Sequence, residues 1–349
     1  MHSPVQQPIG SGFTAASTID DVIAGIDLTG RTAIVTGGYS GIGIETTRAL
    51  AAAGAQVIIP ARDVARAQKS LAGALGPVTG VEVVAMDLMD PASIDRFTGA
   101  FLESGRALDI LVNSAGIMAA PLARDARGFE SHFATNHLGH FQLTTRLLPA
   151  LRRAEKGARV VNVAAMAHRL SPVVFDDLHF ERRGYDPLMA YAQSKTANIL
   201  FTVELDRRER DAGVRAFALH PGAIFTPLSR HVSQEVLLES RTLDENGKPV
   251  IDPASGRKTP AQGASTSVWC ATSPQLAGLG GLYCENNEVS PLLDPVDGTG
   301  AESADGESGG IDTDAAAQGY PVGVAPHAVD PDAATRLWEL SEKLVTHAR

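Results

Sequence analysis

Thr36-Gly37-Gly38-Tyr39-Ser40-Gly41-Ile42-Gly43 is the stretch whose reading decides the fold. It follows a β-rich run, Thr32–Thr36, and leads into a helical pattern carrying Leu50 and Ala53 that closes at Gly54, a strand, a glycine-rich turn and a helix in succession. Glycines at 37, 41 and 43 permit backbone conformations and close approaches that a Cβ would block, so free N–H groups at the helix start can face a pyrophosphate. Such a turn at the first strand-to-helix crossing is the mark of a dinucleotide-binding α/β domain.

Working outward, short β-rich runs alternate with helical patterns, which predicts a doubly wound α/β fold with a parallel sheet. The predicted strands are Thr32–Thr36, Gln56–Ile59, Val81–Met86, Leu108–Val112, Arg159–Val163, Val214–Leu219 and Gly281–Cys284. These runs are almost continuously apolar, as strands covered on both faces should be. Asp90 and Pro91 open one helix as N-cap and first-turn proline, Leu188–Ala212 reads as another, and Asp330–His347 as a terminal one. The reading is a single domain of about seven parallel strands with helices on both faces. It spans 30–284 after an N-terminal extension, 1–29, and is followed by an acidic loop, 285–329, and a C-terminal helix within 330–349. Thr226–Gly263, with Pro249, Pro253 and Pro260, interrupts the alternation where a substrate lid could be inserted.

The 349 residues, 44% hydrophobic, can bury a full core. The formal net charge is −10, owed mostly to the acids between Leu292 and Gly319, and no basic stripe suits a nucleic acid. Cys270 and Cys284 form neither a disulfide framework nor a metal-ligand spacing. No apolar run reaches the ~18 residues of a membrane span and the amino terminus shows no signal pattern, so a cytoplasmic protein without nucleic-acid or membrane partners is expected.

The spacing Gly-x-x-x-Gly-x-Gly resembles the turn of the short-chain dehydrogenase/reductase family, and the resemblance runs from about Gly30 to Leu228. The pattern is most like that of retinol-dehydrogenase-like and related bacterial members. It implies a Rossmann-type domain whose cofactor meets Gly37, Tyr39, Ser40, Gly41, Ile42 and Gly43 at the turn. Asp87 and Leu88 would lie beside the adenine, and Asn113-Ser114-Ala115-Gly116 matches the family's Asn-Asn-Ala-Gly with one substitution, Asn113, Ala115 and Gly116 being carried over. His220-Pro221-Gly222-Ala223-Ile224-Phe225-Thr226 resembles the segment that meets the nicotinamide, through Pro221, Gly222, Ile224 and Thr226. At the end of the second strand no carboxylate is present; Arg62 follows, suited to a 2′-phosphate, although Asp63 comes next and Arg62 could be a solvated helix-start residue. NADP(H) is therefore the expected cofactor.

Reduction of a carbonyl needs a hydride and a proton, and the protein must hold a weak acid near the nascent alkoxide. Tyr191-Ala192-Gln193-Ser194-Lys195 supplies one: Tyr191 and Lys195 are four apart on a predicted helix and share a face. The ammonium would favour the phenolate and hold the nicotinamide ribose. Asn136 matches the helix asparagine to which the resemblance assigns a water relay. His137 and His140 are three apart but lack a third ligand, and no metal site is expected.

The pattern breaks at Asn162-Val163-Ala164-Ala165, where the family reads Asn-Val-Ser-Ser: Ala165 stands where a serine should hold the substrate oxygen. Loss of such a donor costs on the order of a hundredfold in turnover. Three readings stay open: Tyr191 and Lys195 act with Ser171, His168 or a water as substitute donor; the enzyme is weakened or engineered inactive; or the chain is a non-catalytic NADP(H)-binding scaffold. The expected substrate is a mostly apolar carbonyl compound or alcohol, and a homodimer through the Asn136 and Tyr191 helices is implied by the resemblance alone.

Overall fold

A computed structural model describes residues 5–76, 79–294 and 322–346. One sheet runs through the molecule in the order β3-β2-β1-β4-β5-β6-β7-β8. Its strands are β1 Thr32–Thr36, β2 Gln56–Ala61, β3 Val81–Ala85, β4 Ile110–Asn113, β5 Ala158–Val163, β6 Val214–His220, β7 Leu282–Glu285 and β8 Glu288–Val289. The first seven are parallel, as predicted, and β8 pairs antiparallel with β7. Asn286 and Asn287 both have positive φ, 54° and 63°, the geometry of a two-residue hairpin turn that asparagine tolerates. That turn explains the eighth strand, which the sequence reading lacked.

β2 is longer than predicted because Pro60 does not end it. Val57 N–H bonds toward β3, to Gly80 O, so by alternation the nitrogen of Pro60 faces β1, whose pairing with β2 stops at Ile58. The missing N–H therefore costs no ladder bond.

Helices cover both faces. On one lie α1 (Ile19–Ile23), α2 (Ile42–Ala52), α3 (Val64–Leu75) and α8 (Pro260–Thr272), where Leu50, Leu71, Val268 and Trp269 are buried. On the other lie α4 (Pro91–Glu103), α5 (Gly139–Leu151), α6 (Pro187–Glu209) and a C-terminal helix, Pro331–Thr346, labelled α9. Here Phe97, Phe141, Phe201 and Trp338 share a core. The Trp338 ring lies 5.0 Å from Phe141 and 5.8 Å from Phe201, so α9 seats on the outward groove between α5 and α6.

The N-terminal stretch is built into this body. Gln6 bonds Tyr283 and Ser290 main chain, Glu288 accepts from Ile9 and Ser11, and Ile19 is fully buried against α8. The segment 226–263, read from sequence as a place for a lid, carries α7 (Gln234–Glu239), and its last residues belong to α8: Thr259 and Gln262 form a capping box that starts that helix at Pro260. Most of the predicted acidic loop, residues 295–321, lies outside the described residues.

Candidate active site

The glycine-rich turn runs from the end of β1 to Gly41, the N-cap of α2, with Gly37 and Gly41 at positive φ. A Cβ on Gly37 would sit 3.0 Å from Ala115 Cα, and one on Gly43 would run into the Gly37 carbonyl. One on Gly41 would be 3.2 Å from Thr226 Cβ. The turn is thus packed against the Asn113–Gly116 loop on one side and Thr226 on the other, and only glycine allows it. This bare-backbone cradle at a helix N-terminus fits a dinucleotide pyrophosphate.

Thr36, the last residue of β1, ties the cradle to its neighbours. Its Oγ1 accepts from Ser114 N and Ala115 N at 2.9 and 3.0 Å and lies 2.8 Å from His140 Nε2; His140 Nδ1 reaches Asn136 O at 2.9 Å. Asn136 O can only accept, so Nδ1 carries the proton and Thr36 donates to Nε2. Burial holds the His140 imidazole at about 4, hence neutral. His137 Nε2 meets Ser341 Oγ instead, at 2.8 Å, and its side chain is wedged among Phe133, Phe141 and Phe201. Both histidines are packing residues. Among the described residues no cluster suits a metal.

Asn113 gives its amide N–H groups to Thr144 and Asn162, at 3.0 and 2.8 Å, while its Oδ1 is buried without a hydrogen-bond partner among the described residues. Asp87 Oδ1 accepts from Met89 N. Leu88 is buried, its carbonyl tucked where a Cβ on Gly139 would otherwise stand. Arg62 is exposed, without an ion pair among the described residues, whereas Asp63 accepts from Arg66 N as N-cap of α3. Gly222, at φ 106°, and Ala223 meet the segment before α8: Ala223 N donates to Gly256 O at 2.8 Å and Lys258 N to Ala223 O at 3.1 Å.

Tyr191 and Lys195 project from α6, 5% and 4% exposed, with Lys195 Nζ 5.5 Å from the Tyr191 ring centre. Nζ donates to Val163 O at 2.7 Å and would stand 3.8 Å from a Cβ on Gly116. Burial pushes the phenol above its usual range and pulls the ammonium down to about 7. In the protein alone desolvation is therefore the dominant influence on both groups, and the expected depression of the tyrosine by the lysine is not its net result. Asn136 lies in a π-helical turn, Phe133–Leu138, that runs into α5, a widened turn characteristic of functional sites. Its amide clamps Ile117, accepting from N at 2.9 Å and donating to O at 3.0 Å, and donates to Ser194 Oγ at 2.9 Å. Ser194 in turn donates to Tyr191 O at 2.7 Å.

Ala165 is 8% exposed, in extended backbone (φ −163°, ψ 159°) at the start of a short 3-10 turn. Neither proposed substitute donor is free there. His168 Nδ1 meets Ala165 O at 2.7 Å and its Nε2 accepts from Ala325 N at 3.1 Å, while Ser171 Oγ donates to Pro172 O.

A second buried network escaped the sequence reading. Glu130, fully buried, caps the Asn136 turn by accepting from His132 N and Phe133 N, both at 2.9 Å, and holds His132 Nδ1 at 2.8 Å. Burial raises its pKa, but the bonds from His132 and Phe133 outweigh that and lower it overall. Ala120 N donates to His132 Nε2 and Ala120 O accepts from Tyr185 OH. The neighbouring Ala119 is held at φ 50°, and the His132 ring stands edge-on to Tyr191 at 6.3 Å. These partners are up to 65 residues apart, and no local motif announces them.

Comparison with known proteins agrees with this geometry. The short chain dehydrogenase family model matches residues 31–237. A "Probable oxidoreductase" of Streptomyces antibioticus is 45% identical over 90% of this chain and 97% of its own length. Human retinol dehydrogenase 12 is 40% identical over 76% of this chain and 82% of its own. Among solved structures, an uncharacterized protein from Mycobacterium Paratuberculosis superposes with a TM-score of 0.66 at 32% identity, covering 95% of this chain and 98% of that one. The Pseudomonas aeruginosa RhlG/NADP complex superposes at 0.55 and 27% identity, over 74% and 95%. The glycine cradle, the parallel sheet and this similarity lead to one conclusion: the chain belongs to the short-chain dehydrogenase family.

Proposed function

We propose that this protein is an NADP(H)-dependent oxidoreductase interconverting a ketone or aldehyde and the corresponding alcohol. The observation that carries the reading is the close nesting of the cradle and the proton donor's supports: a Cβ on Gly37 would meet Ala115 at 3.0 Å and one on Gly116 would meet Asn136 Oδ1 at 3.0 Å, while Asn136 reaches Tyr191 main chain through Ser194. When bound, the cofactor would supply or accept the hydride.

The residues proposed to hold it are the Gly37–Gly43 turn for the pyrophosphate, Asp87 and Leu88 at the adenine, Asn113, Ala115 and Gly116 along the ribose, and Pro221, Gly222, Ile224 and Thr226 at the nicotinamide. The 2′-phosphate falls to Arg62, favoured by its exposure and by the engagement of Asp63 as a cap. Tyr191 delivers or takes the proton at the substrate oxygen, Lys195 supports the phenolate and the ribose, and Asn136 belongs to the relay.

A second reading, a weakened reductase or an NADP(H)-binding scaffold, is favoured by Ala165 and by the engagement of His168 and Ser171 elsewhere. The experiment follows NADPH absorbance over a panel of ketones, aldehydes and imines, with Tyr191→Phe as control. Turnover that the control abolishes supports the enzyme. NADPH binding without turnover favours the second reading, and absence of binding overturns both.

An apolar carbonyl substrate and a cytoplasmic location belong to the same proposal. Among the described residues no helix is long and apolar enough to cross a membrane. A homodimer, if formed, would have to use a face other than the α5–α6 groove, which Trp338 occupies. A scattering profile measures the assembly.

A further inference from the structure

His220 and Glu285 are registered neighbours at the C-terminal ends of β6 and β7. Glu285 is buried; its Oε1 accepts from Tyr283 OH at 2.9 Å and Arg169 Nη2 at 3.3 Å, and its Oε2 from Gly323 N at 3.1 Å. Beside them lies Lys258, 1% exposed, whose Nζ has no hydrogen-bond partner among the described residues. Its stem presses on Gly222: a Cβ there would lie 2.9 Å from Lys258 Cδ and 3.3 Å from Cε. Its backbone N–H is bonded to Ala223. One residue thus backs the Gly222–Ala223 segment with both its main chain and its side chain.

The local charges do not balance. Arg169 and Lys258 are cations, and among the described residues the one carboxyl facing both is Glu285, which burial pushes above its usual range against the pull of Arg169 and Lys258. His168 and His220 are held neutral by burial, and burial likewise lowers His327. Burial draws the Lys258 ammonium down to about 8, which leaves it mostly charged at pH 7. A buried cation that must share its anion with Arg169 is incompletely compensated and costly, and this one is fixed behind the segment assigned to the nicotinamide.

We propose that Lys258 biases the site toward the reduced cofactor, because its incompletely compensated charge repels the cationic oxidised nicotinamide and leaves the neutral reduced ring unaffected. The inference rests on the NADP(H) reading above and adds a direction to it. A site that loads NADPH and releases NADP⁺ suits carbonyl reduction. Lys195 acts in the same sense but also serves the proton transfer, whereas Lys258 is a positioning charge that can be removed separately.

The test is the ratio of the dissociation constants of NADP⁺ and NADPH, from fluorescence titration at pH 7. The unmodified protein should bind NADPH more tightly. Lys258→Met should narrow the ratio by about tenfold, or about 1.4 kcal/mol, the order of a unit-charge interaction in a protein-like medium. Lys258→Arg, which keeps the charge, should keep the ratio. Generic loosening moves both constants together and leaves their ratio in place. If Lys258→Met does not fold, Lys258→Gln serves instead. An unchanged ratio in the neutral lysine variant, or a ratio narrowed as much by Lys258→Arg, overturns the inference alone. A protein that binds neither nucleotide overturns the functional reading and the inference with it.

Discussion

Lys195 Nζ donates to the Val163 carbonyl across 2.7 Å, which fixes the ammonium at the end of β5, two residues before Ala165. Burial there brings its pKa to about 7 from 10.5. Between those values the unfolded chain holds a proton that the folded one lacks, so the lysine's contribution to stability rises with pH across this window and falls as pH drops toward 7. Lys195→Met should therefore be inactive yet more stable than the parent at pH 7, with the advantage shrinking toward pH 10.5. Asn198 Nδ2, 3.4 Å from Val163 O, remains as a partner for the carbonyl. Urea unfolding of both proteins across this range checks it; a parent more stable by a constant margin would show that the ammonium is already compensated.

Ala165 can accept a hydroxyl without strain, since its extended backbone is that of a serine N-cap. Ala165→Ser should raise turnover on the order of a hundredfold and change stability by less than about 1 kcal/mol. Steady-state rates with the best carbonyl of the panel measure this. No gain would mean that another group already orients the substrate oxygen.

The sheet and the cradle were legible because each is local. Thr32–Thr36 and the glycines that follow carry their own strand, turn and cap signals, and Asp90-Pro91 names a helix start in two residues. Tyr191 and Lys195 were legible because helical spacing alone puts them on one face. Strand β8 was missed because a two-residue strand has no periodicity, although Asn286-Asn287 is a usable hairpin signal. The π-turn at Asn136 and the link from Glu130 to Tyr185 were not legible: they depend on contacts between segments whose proximity only the folded sheet creates. Lys258 was passed over for the same reason, since a lysine before a helix reads as solvated until the segment before α8 is seen to fold back on Gly222.

Glu130 is the capping group of the Asn136 turn and the anchor of His132, and the two tasks can be separated. Glu130→Gln keeps an acceptor but cannot serve all three N–H groups as a carboxylate does, and should cost about 1–3 kcal/mol. Tyr185→Phe removes the bond to Ala120 O, together with long contacts to His132 Nδ1 at 3.3 Å and Glu130 at 3.4 Å, and should cost about 1 kcal/mol. If the clamp on Ala120 shapes the site, Tyr185→Phe should lower turnover several-fold while leaving the NADPH dissociation constant unchanged. Equal losses in both would assign Tyr185 to general stability.

Arg62 is the residue proposed to carry the choice of dinucleotide. Its guanidinium is exposed at the end of β2, and Asp63, the carboxylate that could have served a ribose hydroxyl, is bonded 3.0 Å from Arg66 N. A charge-assisted contact to a 2′-phosphate contributes about 1.5–3 kcal/mol, roughly ten- to a hundredfold in affinity. Arg62→Gln should weaken NADPH by that factor and leave NADH nearly unchanged, because NADH offers nothing for the guanidinium to hold. The contrast should shrink as ionic strength rises, since an exposed contact is screened over about 10 Å at 0.1 M salt. Parallel titrations with the two reduced cofactors decide it: equal weakening of both would remove Arg62 from the specificity determinant and return it to the surface of α3.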